Sequence, residues 1–159
     1  MKVEKIRVII ADDNKPFCGF LNSYLSQFED IEVIGIANSD EEELTLINTL
    51  KPDIVITDLV RNNKYTGLEI IKDYQKIKDA PDFLVISADD KDSPQFYGIK
   101  FSGYIEKPFI DYSIVVYNLR NIMYERIRAK TQLTINEQKE IHKNTFISKI
   151  LAYFKSKKV

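Results

Sequence analysis

The stretch Ile6-Arg7-Val8-Ile9-Ile10-Ala11-Asp12-Asp13 decides the fold class of this chain, because a nearly continuous apolar run ends in two acids. Such runs are typical of parallel strands that are buried on both faces. Two later runs end in a similar manner, with Asp58 after 54–57 and Lys107 after 103–106. In open parallel sheets, ligands bind outside the carboxyl ends of the strands. The pattern therefore predicts a small pocket of three carboxylates and one ammonium, suited to a hard divalent cation and a phosphoryl group.

Length and composition indicate one globular domain with an appendage. The chain has 159 residues, of which 44% are apolar and 11% aromatic, and this allows one buried core. Cys18 is the only cysteine, so an internal disulfide and a cysteine-cluster metal site are both excluded. The N-terminus lacks the long apolar core of a signal peptide, and no run approaches membrane-spanning length. We therefore expect a soluble, cytoplasmic protein without membrane contact.

Charge is distributed unevenly along the chain. Residues 1–125 hold 14 Lys and Arg against 22 Asp and Glu, whereas residues 126–159 hold 9 against 2. An acidic domain followed by a basic tail is typical of proteins whose tail meets nucleic acid, an acidic partner or its own domain. A solvated amphipathic helix explains the same charges equally well.

Apolar patterning predicts five strands that alternate with helices. The predicted strands are 6–11, 32–37, 54–57, 83–86 and 102–105. The predicted helices are 15–28, 40–50, 67–78, a short one from 94 to 100, and 111–130. This alternation indicates an α/β fold in which a doubly wound parallel sheet lies between two layers of helices.

Polar residues at the ends of these strands resemble those of a known family. Asp12-Asp13 follows the first strand, Asp58 the third, Ser87-Ala88 the fourth and Lys107-Pro108 the fifth. This ordered set resembles the CheY-like receiver domain of bacterial two-component and phosphorelay response regulators. The opening 8–14 and the strand 32–37 are most similar to the receivers of the stage-zero sporulation regulators of spore-forming Firmicutes.

The resemblance implies a fold and a division of the chain. It implies the flavodoxin-like, five-stranded parallel sheet with strand order 2-1-3-4-5, followed by a C-terminal helical extension. On this basis we predict a receiver domain over 1–130 and a basic helical tail over 131–159.

The resemblance also implies a phosphoacceptor site with Mg²⁺ as cofactor. Asp58 would accept the phosphoryl group from the phosphohistidine of a histidine kinase or phosphotransfer protein. Asp13, Asp58 and the backbone carbonyl of Val60 would bind the metal directly, and Asp12 would bind it through metal-held water, consistent with the reluctance of magnesium to dehydrate. The metal would offset the repulsion between the carboxylates and the incoming phosphoryl oxygens.

Three further residues receive roles from the resemblance. Lys107 would pair with a phosphoryl oxygen, and the Ser87 hydroxyl would donate to another once Asp58 is modified. Tyr104 would then turn inward and alter the output surface, which is a two-state response to a local change of charge. The only catalysis expected is the domain's own phosphorylation and slow dephosphorylation. The apolar Val60 side chain cannot orient an attacking water, which predicts a persistent phosphoryl-aspartate.

The chain departs from the family pattern beside the acceptor. The residues 61–65 (Arg-Asn-Asn-Lys-Tyr) stand where receivers commonly carry Met-Pro, and Gly67 comes about one residue late. The loop is therefore expected to be more polar, more basic and more mobile than usual. The segment between Ser87 and Lys107 is about two residues shorter than is usual in the family, which predicts a trimmed fourth helix.

Two other classes of protein fit the acids less well. A haloacid-dehalogenase hydrolase also uses Asp and Mg²⁺, but its acids follow the first strand as Asp-x-Asp, whereas Asp12 and Asp13 are adjacent. A pseudo-receiver that works without phosphorylation would lack a pocket residue, and none is missing here. The receiver interpretation is therefore preferred.

The tail leaves the output open. Thr134-Ile135-Asn136-Glu137 matches a capping box that would begin a new helix, and Ile147, Ile150, Leu151 and Phe154 would form one apolar stripe. The tail is too short for a complete effector domain, so a truncated effector, a dimerising helix and a docking helix are all open. The output favoured is control of transcription, with nucleic acid bound through the basic tail. The alternative is a stand-alone switch that acts by protein contact without DNA, for example as a homodimer.

Overall fold

The computed structural model describes residues 5–62 and 64–156, with side chains up to residue 149. Five parallel strands form one sheet in the order β2-β1-β3-β4-β5. The strands are β1 (Ile6–Ala11), β2 (Ile31–Ala37), β3 (Ile54–Thr57), β4 (Asp82–Ser87) and β5 (Gly103–Glu106). The helices are α1 (Lys15–Leu25), α2 (Asp40–Leu50), α3 (Thr66–Tyr74) and α4 (Ser113–Ser156). The predicted doubly wound fold with strand order 2-1-3-4-5 is confirmed.

The central strand β1 supplies a hydrophobic core to each face of the sheet. Val8 and Ile10 belong to a cluster with residues of α1 and α4, such as Leu21 and Leu119. Ile9 points to the opposite face, into a cluster with residues of α2 and α3. Alternate side chains of a strand point to opposite faces, so a run that is apolar throughout must be covered on both sides. This explains the three-layer architecture.

Local capping positions the helices that follow the first two strands. The Asn14 side chain accepts a hydrogen bond from the backbone N–H of Phe17 (3.1 Å) and begins α1. The Ser39 hydroxyl accepts from the N–H of Glu42 (3.2 Å) and begins α2, whose first turn carries four acids. Capping satisfies amide groups that lack partners within the helix, and acids there favour the positive end of the helix dipole.

Several predicted helix limits are wrong. The helices α1 and α3 end at Leu25 and Tyr74 rather than at 28 and 78. The segment predicted as a helix over 94–100 is only a 3₁₀ turn, Pro94–Phe96, because Tyr97 adopts an extended conformation (φ −59°, ψ 130°) and Gly98 has a positive φ of 81°. The trimming expected before Lys107 is therefore more severe than predicted.

The predicted break between the final helix and the tail is also wrong. The helix α4 is continuous from Ser113 to Ser156, and it contains neither Gly nor Pro. Thr134 lies inside it and donates from its hydroxyl to the carbonyl of Lys130 (3.1 Å), so it caps nothing. A capping box requires a non-helical residue at the cap, and the residues before Thr134 stay helical.

Two compact units divide the chain, residues 1–123 and 124–159. In the second unit, every side chain described from 127 to 149 is exposed, including His142. The predicted apolar stripe is described only at Ile147, since the side chains of Ile150, Leu151 and Phe154 lie outside the described part. The domain limit at residue 130 stays a prediction.

Among the described residues, none of the helices combines the length and apolar character that crossing a membrane requires.

We predict that Gly67→Ala destabilises the fold while Gly19→Ala does not. A Cβ at Gly67 would overlap the backbone oxygen of Asp58, whereas one at Gly19 meets no atom within 4 Å. Forced overpacking costs about 1–3 kcal/mol, and Ala in a helix interior gains up to about 1 kcal/mol over Gly. Chemical denaturation of both variants measures the difference. Equal stabilities would contradict the close approach of α3 to Asp58.

Candidate functional site

An ammonium shared by two carboxylates forms the centre of the site. Asp12 and Asp58 follow β1 and β3, which are neighbours in the sheet, and Lys107 follows β5. The Lys107 Nζ lies 2.8 Å from Asp12 Oδ2 and 2.8 Å from Asp58 Oδ2. It also lies 4.9 Å from the centre of the Phe17 ring. The structure thus brings three of the four residues of the predicted pocket into direct contact.

The surroundings of Lys107 stabilise its charged form. Burial opposes the ammonium, but the hydrogen bonds and charges of Asp12 and Asp58 outweigh it and raise the pKa of Lys107 above its ordinary value. The ammonium also offsets the repulsion between the two carboxylates that it contacts. Lys107 is therefore a fixed positive charge in the pocket.

Asp13 lies at the edge of this pair rather than on Lys107. Its side chain is exposed, and its Oδ2 accepts a hydrogen bond from the backbone N–H of Asn62 (3.3 Å). The second oxygen of Asp12 accepts from the N–H of Asn14 (2.8 Å), and that of Asp58 accepts from the N–H of Val60 (3.2 Å). Each of the three carboxylates is thus oriented by a backbone amide.

The predicted magnesium ligands share the hard oxygen chemistry that suits Mg²⁺, and Lys107 is bonded to two of them. Within residues 5–62 and 64–156, no group of three or more His, Cys, Asp or Glu side chains is placed to hold a metal ion. The reason is that Lys107 lies between Asp12 and Asp58, while Asp13 is held by Asn62. Carboxylate and carbonyl oxygens suit Mg²⁺, so Mg²⁺ at Asp12, Asp13, Asp58 and Val60 stays a prediction.

Ser87 and Tyr104 meet at Asp89. The Ser87 hydroxyl is buried at the end of β4 and donates to Asp89 Oδ2 (3.4 Å). The Tyr104 hydroxyl donates to the backbone oxygen of Asp89 (2.7 Å), and its ring packs against Phe101, with centroids 5.5 Å apart. Burial raises the pKa of Tyr104 to about 12, so the phenol is a neutral donor. Tyr104 thus occupies an inward position, and the predicted switch role stays a prediction.

A buried polar cluster, which the sequence patterns did not predict, lies behind Asp58. Arg61 was expected to belong to a polar and mobile loop, but only 2% of its surface is exposed. Its guanidinium donates to Asp40 Oδ1 and Thr57 Oγ1 and forms an ion pair with Glu43. The available signal was Glu43, an acid one helical turn before the buried Ile47 on α2, because a buried acid requires a cation.

The charged groups of this cluster, Arg61, Asp40 and Glu43, are paired with one another. Burial raises the pKa of Glu43 above its ordinary value, although the positive charge of Arg61 opposes the effect. For Arg61, burial lowers the pKa, but Glu43 and Asp40 outweigh burial and the net direction is upward. Arg61 is therefore a permanent cation beneath the acceptor loop.

A family of known proteins matches most of this sequence. The family model of the response regulator receiver domain matches residues 8–117. A Geobacter sulfurreducens protein, protein-glutamate methylesterase/protein-glutamine glutaminase 3, is 28% identical over 137 residues, which are 84% of this chain and 36% of that protein. The chain thus spans about a third of the length of this relative.

Solved structures of low sequence identity share the fold. The response regulatory domain of protein mrkE from Klebsiella pneumoniae has a TM-score of 0.64 and 18% identity, and the match covers 75% of this chain and 96% of that one. The crystal structure of the P1 domain of CheA3 in complex with CheY6 from R. sphaeroides contains a chain with a TM-score of 0.59 and 18% identity, over 76% of this chain and 98% of that one. The family match covers more than half of the sequence, and the chain therefore belongs to the response regulator receiver domain family.

Proposed function

We propose that this receiver accepts a phosphoryl group onto Asp58 from a phosphohistidine. The observation that carries the proposal is the Lys107 ammonium, 2.8 Å from both Asp12 and Asp58. The Asp58 carboxylate attacks phosphorus, an O–P bond forms, and the P–N bond of the donor histidine breaks. A carboxylate is a weak nucleophile, so positioning and neutralisation of charge supply most of the rate.

The residues of the pocket divide this work. Lys107 leaves its partners to pair with a phosphoryl oxygen, and the Ser87 hydroxyl donates to another. Asp13, Asp58 and the Val60 carbonyl would hold Mg²⁺ directly and Asp12 would hold it through water, and the metal would supply the remaining neutralisation of phosphoryl charge. The oxygen-rich donor set supports this assignment, and Asp13 is oriented toward the acceptor loop by the N–H of Asn62.

The proposed phosphodonor is a histidine kinase or a phosphotransfer protein. Apolar side chains next to the pocket favour such a partner: Phe20 on α1 is 54% exposed and Ile110 after β5 is 96% exposed. Phe20 packs against Tyr112 with centroids 4.7 Å apart, which extends the apolar surface. The CheA3 P1 domain in complex with CheY6 is a solved example of a receiver-like chain with such a partner.

The proposed response passes through Ser87 and Tyr104, because both are tied to Asp89. A movement of the Ser87 hydroxyl toward the phosphoryl group changes its contact with Asp89, and the Tyr104 hydroxyl is bonded to the same residue. The output is control of a downstream response, with transcription favoured. The 9 basic against 2 acidic residues of 126–159 support contact with nucleic acid. The continuous helix α4 supports the alternative, a stand-alone switch that acts by protein contact.

Asp58→Asn is expected to abolish phosphorylation. Acetyl phosphate with Mg²⁺ should add one phosphoryl group to the wild type, and mass spectrometry of the intact protein measures it. Asp73→Asn is the matched control, because this substitution removes the same charge from an exposed position on α3. Chelation of Mg²⁺ should also prevent the reaction. A wild type that neither gains mass nor responds to beryllofluoride would refute the proposed function.

Tyr104→Phe is expected to weaken the response without preventing phosphorylation. The change removes the hydrogen bond to Asp89 and keeps the ring packing. One such bond is worth about 1 kcal/mol, about a fivefold change in the ratio of two states. We therefore expect the apparent affinity for beryllofluoride, followed by amide NMR shifts, to fall about fivefold. Tyr97→Phe is the control, because Tyr97 is 79% exposed; an equal effect of both changes would exclude a relay through Tyr104.

Neutralising the tail should reduce the salt dependence of DNA binding. Each lost phosphate contact lowers the slope of log K against log salt by about 0.9. A variant with Lys139, Lys143 and Lys149 changed to Gln should therefore lose a slope of up to about 3, measured by fluorescence anisotropy with duplex DNA. The control changes Lys15, Lys51 and Lys72 instead. No binding at low salt, together with beryllofluoride-dependent dimerisation, would establish the stand-alone switch.

A further inference from the structure

We propose that Arg61 is a positioning residue for the metal-binding side of the pocket, acting through the acceptor loop, residues 58–65. The inference rests on the proposed function, since it assigns a task to a residue beside the proposed metal ligands. Arg61 itself touches neither Asp13 nor the side chain of Asp58, so it acts through the backbone that carries its neighbours.

The backbone of Arg61 is paired with that of Lys64 within the loop. Its N–H donates to the Lys64 carbonyl, and the Lys64 N–H donates back to the Arg61 carbonyl, both at 2.9 Å. Asn62 completes the turn with a positive φ of 50°. On either side of Arg61, the N–H of Val60 contacts Asp58 and the N–H of Asn62 contacts Asp13. Fixing Arg61 therefore fixes two residues that face the pocket.

The side chain of Arg61 ties this turn to three parts of the domain. Nη1 donates to Asp40 at the start of α2, and Nη2 donates to Thr57 at the end of β3. Nη2 also reaches the backbone oxygens of Asp58 (3.4 Å) and Ala11 (3.5 Å), the latter directly before Asp12. One planar guanidinium can make several directed bonds at once, which an ammonium cannot reproduce.

Packing alone does not account for this cluster. Glu43 has no exposed surface, and its Oε1 has no hydrogen-bond partner within the described residues. Apolar side chains of similar volume replace buried ion pairs with little loss of stability, or with a gain. Apolar side chains could fill the same place, whereas the ionic cluster also supplies directed bonds to the strand ends that carry Asp12 and Asp58.

The test replaces the ion pair by apolar side chains. Arg61→Met alone would leave Glu43 buried without its cation, so the variant used is Arg61→Met with Glu43→Met, which keeps volume and removes both charges. Arg61→Lys is the second variant, since it keeps the positive charge but loses the planar guanidinium with its several N–H donors. The matched control is Arg120→Met with Asp30→Asn. It removes an ion pair of 2.8 Å between Arg120 on α4 and Asp30, which directly precedes β2 and so lies away from the strand ends of the pocket.

Two readouts separate positioning from stability. Calorimetry should show a dissociation constant for Mg²⁺ that is about 10–100-fold higher in both Arg61 variants and unchanged in the control. In metal-free protein, amide hydrogen exchange of Asn62 and Lys64 should be faster in the Arg61 variants, at equal global stability of the double variant. If the double variant does not fold, Arg61→Lys gives the answer by the same two measurements.

The outcomes distinguish this inference from the proposed function. Wild type that binds Mg²⁺ and is phosphorylated, with Arg61 variants of equal affinity and equal exchange, would overturn only the role of Arg61. The same holds if the control loses as much affinity as the Arg61 variants. Wild type that neither binds Mg²⁺ nor accepts the phosphoryl group would overturn both.

Discussion

Two carboxylates at neighbouring strand ends repel each other, and the position of Lys107 between them is the constraint on which the rest of the pocket depends. The register pairs Ala11 with Thr57, so Asp12 and Asp58 must emerge side by side. The register of β4 with β5 pairs Ser87 with Glu106, which places Lys107 just beyond the same edge of the sheet. Sheet topology thus brings the two carboxylates and the ammonium together, and one cation directly after β5 is enough to contact both carboxylates.

A second cation, Arg61, contacts the end of β3 through Thr57 and the backbone oxygen of Asp58. Lys107 neutralises Asp12 and Asp58 at the surface, while Arg61 contacts the backbone of Asp58 from within the domain. The two cations differ in their surroundings, because the ammonium is partly accessible, whereas the guanidinium is buried and held by Asp40 and Glu43. Asp58 is therefore contacted by a partly accessible cation on its side chain and by a buried cation on its backbone.

Sequence alone predicted the strands and the strand-end residues, because both depend on short-range patterns. A run such as 6–11 is apolar at every residue but Arg7, and such a nearly continuous run is typical of a parallel strand covered on both faces. The orientation of Arg61 could not be predicted, because a charged loop residue is usually solvated and its partners Asp40 and Glu43 lie about 20 residues away. The false helix start at Thr134 has a related cause: the capping signature is local, and the uninterrupted helix before it is not part of the signature.

The exposed part of α4 raises the question of why it is helical at all. A helix whose side chains are exposed gains little from packing, and an isolated helix must first form a costly nucleus. Here the residues Val115, Leu119 and Ile122 are buried against the sheet, so the nucleus is already present and the helix need only propagate. Gly and Pro disfavour propagation of a helix, and the segment 113–156 contains neither residue. Propagation from a buried first part thus accounts for the helical conformation of 124–156 and leaves both proposed outputs open.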